Sequence, residues 1–147
     1  MYYKPKHFKV GELVHPKIFK RWGEQALMFL DPGMLIALDG LRDMFGSTTC
    51  NNWLWGGSRV DSGLRLFNSG TGASFSAHKF GKAFDLVFKS VTAAQVRSYL
   101  KINFDCHEYR AITRIEKSME GKPISWLHID SFNVKPDPET RIVFMKV

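Results

Sequence analysis

The strongest chemical signal in the sequence is a histidine followed seven residues later by an aspartate, in the stretch SAHKFGKAFDLVF. His78 lies at the end of a loop rich in small residues, and Asp85 lies in the short apolar run that follows. Zinc binds histidine nitrogen and carboxylate oxygen, and catalytic zinc sites use three protein ligands. Gly81 and Ala83 are small enough to let the backbone turn back and bring both side chains together. The two residues can also form a simple hydrogen-bonded pair, so a metal site needs a third ligand.

His128, in the stretch SWLHIDS, is the candidate third ligand. Because side chains alternate along a strand, Trp126, His128 and Asp130 share one face of it. Asp130 is then either a partner that fixes the histidine ring or a surface charge. A lone strand histidine can equally be a satisfied core or surface residue.

Hydrolysis also requires a general base, and Glu116 in the stretch AITRIEKS is the candidate. If a turn near Glu120 and Gly121 joins two strands, cross-strand partners have residue numbers that sum to about 240–244. Glu116 then lies opposite residues 124–128 and can sit beside His128, whereas Glu120 at the turn faces solvent. The alternative for Glu116 is an exposed carboxylate paired with a lysine or arginine.

Arg65, in the stretch DSGLR, precedes the histidine–aspartate loop. An arginine can hold a substrate carboxylate or the oxyanion that develops when a carbonyl is attacked. A surface role is the alternative for one arginine among many.

The elements that must position these residues are helices in the first part of the chain and strands in the second. Asp31 is suited to cap a helix, Pro32 to its first turn and Gly46 to its end, and the apolar period between them predicts a helix over 32–45. The other predictions are an irregular arm over 1–20 with a strand around Phe8–Leu13, a helix over 17–30, loops and short strands over 47–75, a strand over 84–88, a helix over 93–101, strands over 110–117 and 124–130, and a last strand over 141–147. This order predicts a single α+β domain over 1–147, with a central antiparallel sheet flanked by helices.

Composition narrows the classes of partner. The 147 residues are 44% apolar and carry a net charge of +7, which favours anionic partners such as nucleic acid, membrane surfaces or bacterial cell wall. No nucleic-acid motif or basic helical stripe is present, so no nucleic-acid partner is expected. The sequence lacks the apolar stretch of a signal peptide and any 18-residue apolar run. We therefore expect no membrane span and a chain made in the cytoplasm without a signal peptide.

Taken together, the motifs resemble those of the zinc D-alanyl-D-alanine carboxypeptidases and the related phage endolysin peptidases. The pattern S-x-H-x-x-G-x-A-x-D is matched by residues 76–85, W-x-H by residues 126–128, and S-G-x-R by residues 62–65. The resemblance covers roughly residues 30–132. It implies the fold that this family shares with VanX-type dipeptidases and the hedgehog signalling domain.

The resemblance also implies roles for the candidate residues. It assigns one Zn²⁺ to three ligands: His78, Asp85 and His128. Some members carry an acidic base three residues before the last ligand, where this chain has Ser125. Other members place a glutamate on the preceding strand in an "IE…WxH" arrangement, which Glu116 matches. Arg65 is then expected to stabilise negative charge during the reaction.

The implied substrate is a peptide of bacterial peptidoglycan, cut at a D-Ala-D-Ala or an L-Ala-D-Glu bond. The resemblance leaves open which bond is cut and the oligomeric state. It also leaves open whether the protein acts on the wall as a phage lysis protein, as a virion component or in wall remodelling. A non-catalytic, zinc-containing binding module of the same fold is the alternative function, because one fold can host catalysis or binding.

Overall fold

The computed structural model describes all residues 1–147 and has an α+β architecture, as predicted. The helices are α1 (Val10–Leu13), α2 (Pro16–Trp22), α3 (Pro32–Phe45) and α4 (Ala93–Ile102), with 3₁₀ turns at Gly23–Phe29, Trp53–Trp55, Ala77–Phe80 and His107–Tyr109. The strands are β1 (Thr48–Thr49), β2 (Ala83–Phe88), β3 (Arg114–Met119), β4 (Lys122–Asp130) and β5 (Val143–Lys146). None of the helices combines the length and the apolar character that crossing a bilayer requires.

Helix α3 confirms the prediction for residues 32–45. The side chain of Asp31 accepts hydrogen bonds from the backbone N–H groups of Gly33 (2.8 Å) and Met34 (3.1 Å), which caps the first turn. The helix ends at Gly46, whose φ of +77° favours glycine. Buried apolar side chains of α3 lie in the same cluster as apolar side chains of β2, β3 and β4. The helix and the sheet therefore share one hydrophobic core.

The five strands lie in the order β1-β2-β4-β3-β5. The first three pairings are antiparallel, as predicted, but β5 runs parallel to β3, so the sheet is mixed. The physical reason is the connection from β4 to β5, which spans residues 131–142. A segment of about a dozen residues is long enough to bring the chain back in the same direction as its neighbour.

The hairpin of β3 and β4 confirms the predicted turn, and its pairings lie within the predicted range of registers, with a register shift between Glu116 and Ser118. Glu120 and Gly121 form its two-residue loop, with φ values of +50° and +77°. Positive φ at both loop residues is typical of the type I′ turn that joins two antiparallel strands. Glu116 pairs directly with His128. Strand β3 begins at Arg114, later than the predicted residue 110.

The N-terminal segment differs from its prediction. The prediction of a strand around Phe8–Leu13 was wrong. Val10–Leu13 instead forms a helical turn whose four residues are all buried. The Glu12 carboxylate accepts a hydrogen bond from the Lys9 N–H (2.8 Å) and stabilises this turn. Phe8 and Val14 are also buried, so the part of the predicted arm around this turn packs into the core.

The helix predicted over 17–30 is divided into two parts. Helix α2 ends at Trp22, and Gly23 follows with φ +53°. The chain then continues as a 3₁₀ turn over Gly23–Phe29, which brings the backbone of Phe29 against the loop that carries His78.

Candidate metal centre

Three neighbouring strands present the predicted site residues in one row. Asp85 on β2 pairs directly with His128 on β4, and His128 pairs with Glu116 on β3 on its other side. Residues directly opposite each other in an antiparallel sheet project from the same face. The sheet therefore brings a ligand carboxylate, a ligand imidazole and a second carboxylate together.

His78 reaches this row from the 3₁₀ turn that precedes β2. Gly81 ends the turn with φ +68°, and a Cβ atom there would lie 1.9 Å from the carbonyl oxygen of Phe29. Only glycine fits this combination of conformation and close approach. The expectation that a small residue at this position lets the chain fold back is confirmed.

The S-G-x-R segment holds the loop and the strand together through its backbone. The N–H of Asp85 donates to the Ser62 carbonyl (2.7 Å), and the N–H of Arg65 donates to the His78 carbonyl (3.1 Å). A Cβ atom on Gly63 would lie 2.0 Å from the carbonyl of Leu13, so this segment lies tightly against α1.

The ligand atoms of His78, Asp85 and His128 all lie within 4.8 Å of one another. Nε2 of His78 is 3.3 Å from Nδ1 of His128 and 3.3 Å from Oδ2 of Asp85. Nδ1 of His128 is 2.8 Å from Oδ1 of Asp85. Two atoms that each bind a tetrahedral zinc ion at about 2.0–2.1 Å are themselves about 3.3 Å apart. The three side chains could therefore hold a metal ion with little rearrangement.

Hydrogen bonds on the far side of each ring fix which nitrogen is free to bind. Nδ1 of His78 lies 2.9 Å from the carbonyl oxygen of Gly63, which can only accept, so Nδ1 carries the proton. Nε2 of His128 lies 3.0 Å from Oδ2 of Asp130 and carries the proton for the same reason. When both rings are neutral, the two remaining ring nitrogens present lone pairs to each other and to the Asp85 carboxylate. Three electron-rich groups in contact need a cation between them, and this donor set fits a metal.

The pKa values of the ligand residues also favour a positive charge between these groups. Burial raises the pKa of Asp85, but its contacts with the His128 and His78 rings outweigh this effect and hold the pKa well below its usual value. Burial lowers the pKa of His128, but hydrogen bonds to Asp130 and Asp85 outweigh it and raise this pKa to about 9. Without a metal, the centre therefore keeps a proton on His128.

Asp130 is the ring partner of His128 and not a surface charge, since it is completely buried. Its oxygens accept hydrogen bonds from Nε of Arg114 at 2.8 and 3.0 Å and from the N–H of Phe132 at 3.1 Å. Sequence reasoning missed Arg114. The signal was present, because the register that pairs Glu116 with His128 also pairs the preceding same-face residue of β3 with Asp130.

Glu116 lies beside the ligand set without being bound to it. One carboxylate oxygen is 3.8 Å from Nε2 of His128, which is too long for a hydrogen bond. The side chain is 24% exposed and lines the cleft in front of the ligands. Glu120, the other carboxylate considered, is exposed at the hairpin turn.

Arg65 is nearly buried and contacts a ligand directly. Its Nη2 donates to Oδ2 of Asp85 (3.1 Å), its Nε to the carbonyl of Asp61 (2.6 Å) and its Nη1 to the carbonyl of Thr71 (3.3 Å). The structure thus places its positive charge against the Asp85 carboxylate, with one hydrogen bond on each nitrogen.

The cleft in front of the three ligands has a volume of about 540 Å³, within the range of small-molecule sites. Its wall includes three aromatic side chains: Phe75, Trp126 and Phe132. Comparison of the chain with family models, curated proteins and solved structures gives no match.

Proposed function

We propose that the protein is a zinc-dependent peptidase that cleaves the stem peptides of bacterial peptidoglycan. The observation that carries the proposal is the spacing of the three ligand atoms, which lie 2.8–3.3 Å apart on the wall of a cleft. Two imidazoles and one carboxylate form the kind of donor set that catalytic zinc sites use, with a further position left for water or substrate.

The sequence motifs support the choice of substrate and of fold family. The three motif segments that resemble the zinc carboxypeptidases and endolysin peptidases are the same segments whose side chains and backbone meet at the centre. We extend the proposal to their hedgehog- and DD-peptidase-like fold. The net charge of +7 favours approach to an anionic cell wall, where a phage lysis protein or virion component would act.

The chain's own residues have distinct roles in the proposed reaction. His78, Asp85 and His128 would hold a zinc ion, which would supply Lewis-acid chemistry and lower the pKa of water toward about 7. Glu116 accepts a proton from the attacking water and passes it to the leaving amine. Arg65 fixes the Asp85 carboxylate and adds positive charge at the wall where the attacked carbonyl becomes negative.

The direct test is mass spectrometry of purified peptidoglycan after incubation with the protein, with added zinc and with a chelator. We expect new peptide ends that identify the cleaved bond, and no cleavage when the chelator is present. If the zinc-loaded protein leaves every peptide intact, the peptidase proposal is wrong and a non-catalytic binding module becomes the preferred function.

The general base is tested with two matched variants. Glu116→Gln should keep bound zinc and lower the rate by about 10²–10⁴-fold, because it removes the proton acceptor. Glu120→Gln makes the same chemical change at the exposed hairpin turn and should keep the wild-type rate. Full activity of Glu116→Gln would remove this residue from the mechanism.

A further inference from the structure

Arg114 presents unused hydrogen-bond donors to the cleft. It lies two residues before Glu116 on the same face of β3 and lines the same cleft. Its Nε donates to both oxygens of Asp130, whereas Nη1 and Nη2 donate to no group of the protein. The terminal half of this guanidinium, with four N–H groups, is therefore available to a ligand.

The same side chain is held in a fixed orientation. The buried Asp130 carboxylate binds its Nε edge at 2.8 Å, and the guanidinium carbon lies 4.9 Å from the centre of the Phe132 ring. Only 20% of the side chain is exposed. A planar guanidinium fixed in this way is suited to a carboxylate, which it can bind through two parallel hydrogen bonds.

Arg65 is less suited to this task, although it lines the same cleft. Each of its three nitrogens already donates one hydrogen bond, to Asp61, Thr71 or Asp85. A Cβ atom on Gly72 would lie 2.8 Å from its Nη1, so the loop that contains Gly72 covers this side of the guanidinium. The positive charge of Arg65 is instead paired with the carboxylate of Asp85.

We propose that Arg114 recognises a carboxylate of the substrate and thereby selects peptides with an acidic group close to the cleaved bond. This inference rests on the proposed peptidase function. Same-face neighbours on a strand are about 6.6 Å apart, and an extended peptide advances about 3.3–3.6 Å per residue. With Glu116 acting at the cleaved bond, the recognised carboxylate lies within about two residues of it. The terminal carboxylate of a D-Ala-D-Ala peptide and the carboxylate of D-glutamate both satisfy this distance.

The test compares three synthetic stem pentapeptides on the zinc-loaded protein. One has all its carboxylates free, one has a C-terminal carboxamide, and one has a carboxamide on the D-glutamate residue. We expect one of the two amides to lose about 10–100-fold in kcat/KM with the wild-type protein, since hydrogen bonds to a charged group are removed. In Arg114→Gln the same amide and the parent peptide should be cleaved at equal rates. The matched control, Lys117→Gln on the same strand, should discriminate as the wild type does.

A purely structural role for Arg114 gives a different result. Loss of its support for Asp130 would weaken zinc binding and slow the cleavage of all three peptides by the same factor, so zinc content is measured and zinc is kept saturating. Discrimination that persists in Arg114→Gln would overturn the proposal, as would a wild type that treats the three peptides alike.

Failure of carboxylate recognition by Arg114 can be distinguished from failure of the peptidase proposal. If the wild type cleaves none of the peptides, the peptidase proposal fails, and calorimetric binding of the same three peptides makes the comparison without turnover. Tighter binding of the parent peptide that disappears in Arg114→Gln supports carboxylate recognition, whereas equal binding or no binding of the three overturns it.

Discussion

At the scale of single residues, the two ring nitrogens of His128 have different partners and therefore different tasks. Nδ1 faces the other two ligands, and Nε2 is held by the buried Asp130 carboxylate. A carboxylate behind a ligand histidine fixes the ring and increases its basicity. The metal affinity of the centre therefore depends on a residue that does not touch the metal.

Asp130→Asn tests this dependence. The substitution removes the negative charge that holds the ring of His128 and leaves Arg114 without its ion pair. We expect zinc affinity to fall by about 10–100-fold, measured by competition with a chelator of known affinity. Asp105→Asn changes an exposed carboxylate away from the site and should bind zinc as the wild type does. An unchanged affinity in Asp130→Asn would contradict the role assigned to this carboxylate.

The pH dependence of the metal-free protein is set at the same scale. The pKa of His128 is raised from 6.5 to about 9 in the folded state, so the folded protein binds this proton more tightly than the unfolded chain does. The resulting stabilisation is fully present below pH 6.5 and is lost as the pH rises through about 9. NMR titration of the chelated protein should show the His128 ring signals changing with a midpoint near 9. A midpoint near the ordinary value of 6.5 would show that Asp85 and Asp130 do not act on it.

At the scale of elements, the 3₁₀ turn that carries His78 depends on the conformation of one glycine. Gly81→Ala would place a methyl group against the Phe29 carbonyl at a position with φ +68°. We expect a loss of about 1–3 kcal/mol in the free energy of unfolding from the strained backbone alone, together with weaker zinc binding. Urea unfolding measures the first effect. Gly70→Ala is the matched control, because no atom lies within 4 Å of the added methyl group. Equal stability of the two variants would contradict this account of the turn.

Local patterns were sufficient to predict the strands that carry Asp85, Glu116 and His128. The hairpin turn aligns the first pairs of β3 and β4, Met119 with Lys122 and Ser118 with Pro123, and a register shift between Glu116 and Ser118 then places Glu116 opposite His128. Capping residues and apolar period predicted α3 in the same way. These features depend on neighbours within about a turn or a hairpin, which a single sequence displays.

Contacts between distant segments were not predictable by the same means. Arg65 meets Asp85 because backbone hydrogen bonds hold residues 62–65 beside β2, and no local pattern encodes that pairing. The parallel return of β5 depends on where its connection packs. The strand predicted around Phe8–Leu13 was wrong because all four residues of the helical turn Val10–Leu13 are buried in the core, a tertiary contact that the local sequence does not show.

At the scale of the whole molecule, the centre joins parts of the fold that are far apart in the chain. The three ligands come from a loop turn, from β2 and from β4, and they span residues 78–128. The unfolded chain does not hold these groups together, so a metal bound only in the folded state stabilises the entire domain by mass action. Metal-linked stability therefore reports whether the three side chains act as one site.

Thermal unfolding measured with zinc and with a chelator tests this linkage. With free zinc at about a thousand times its dissociation constant, the stabilisation is about 4 kcal/mol. For a domain of this size that is a shift of roughly 10 °C in Tm. His78→Ala should lose most of the shift, because it removes one of the three ligands, whereas His107→Ala, which changes an exposed histidine outside the centre, should keep it. A zinc shift of equal size in both variants would mean that the ion binds elsewhere, and the convergence of His78, Asp85 and His128 would then need another explanation.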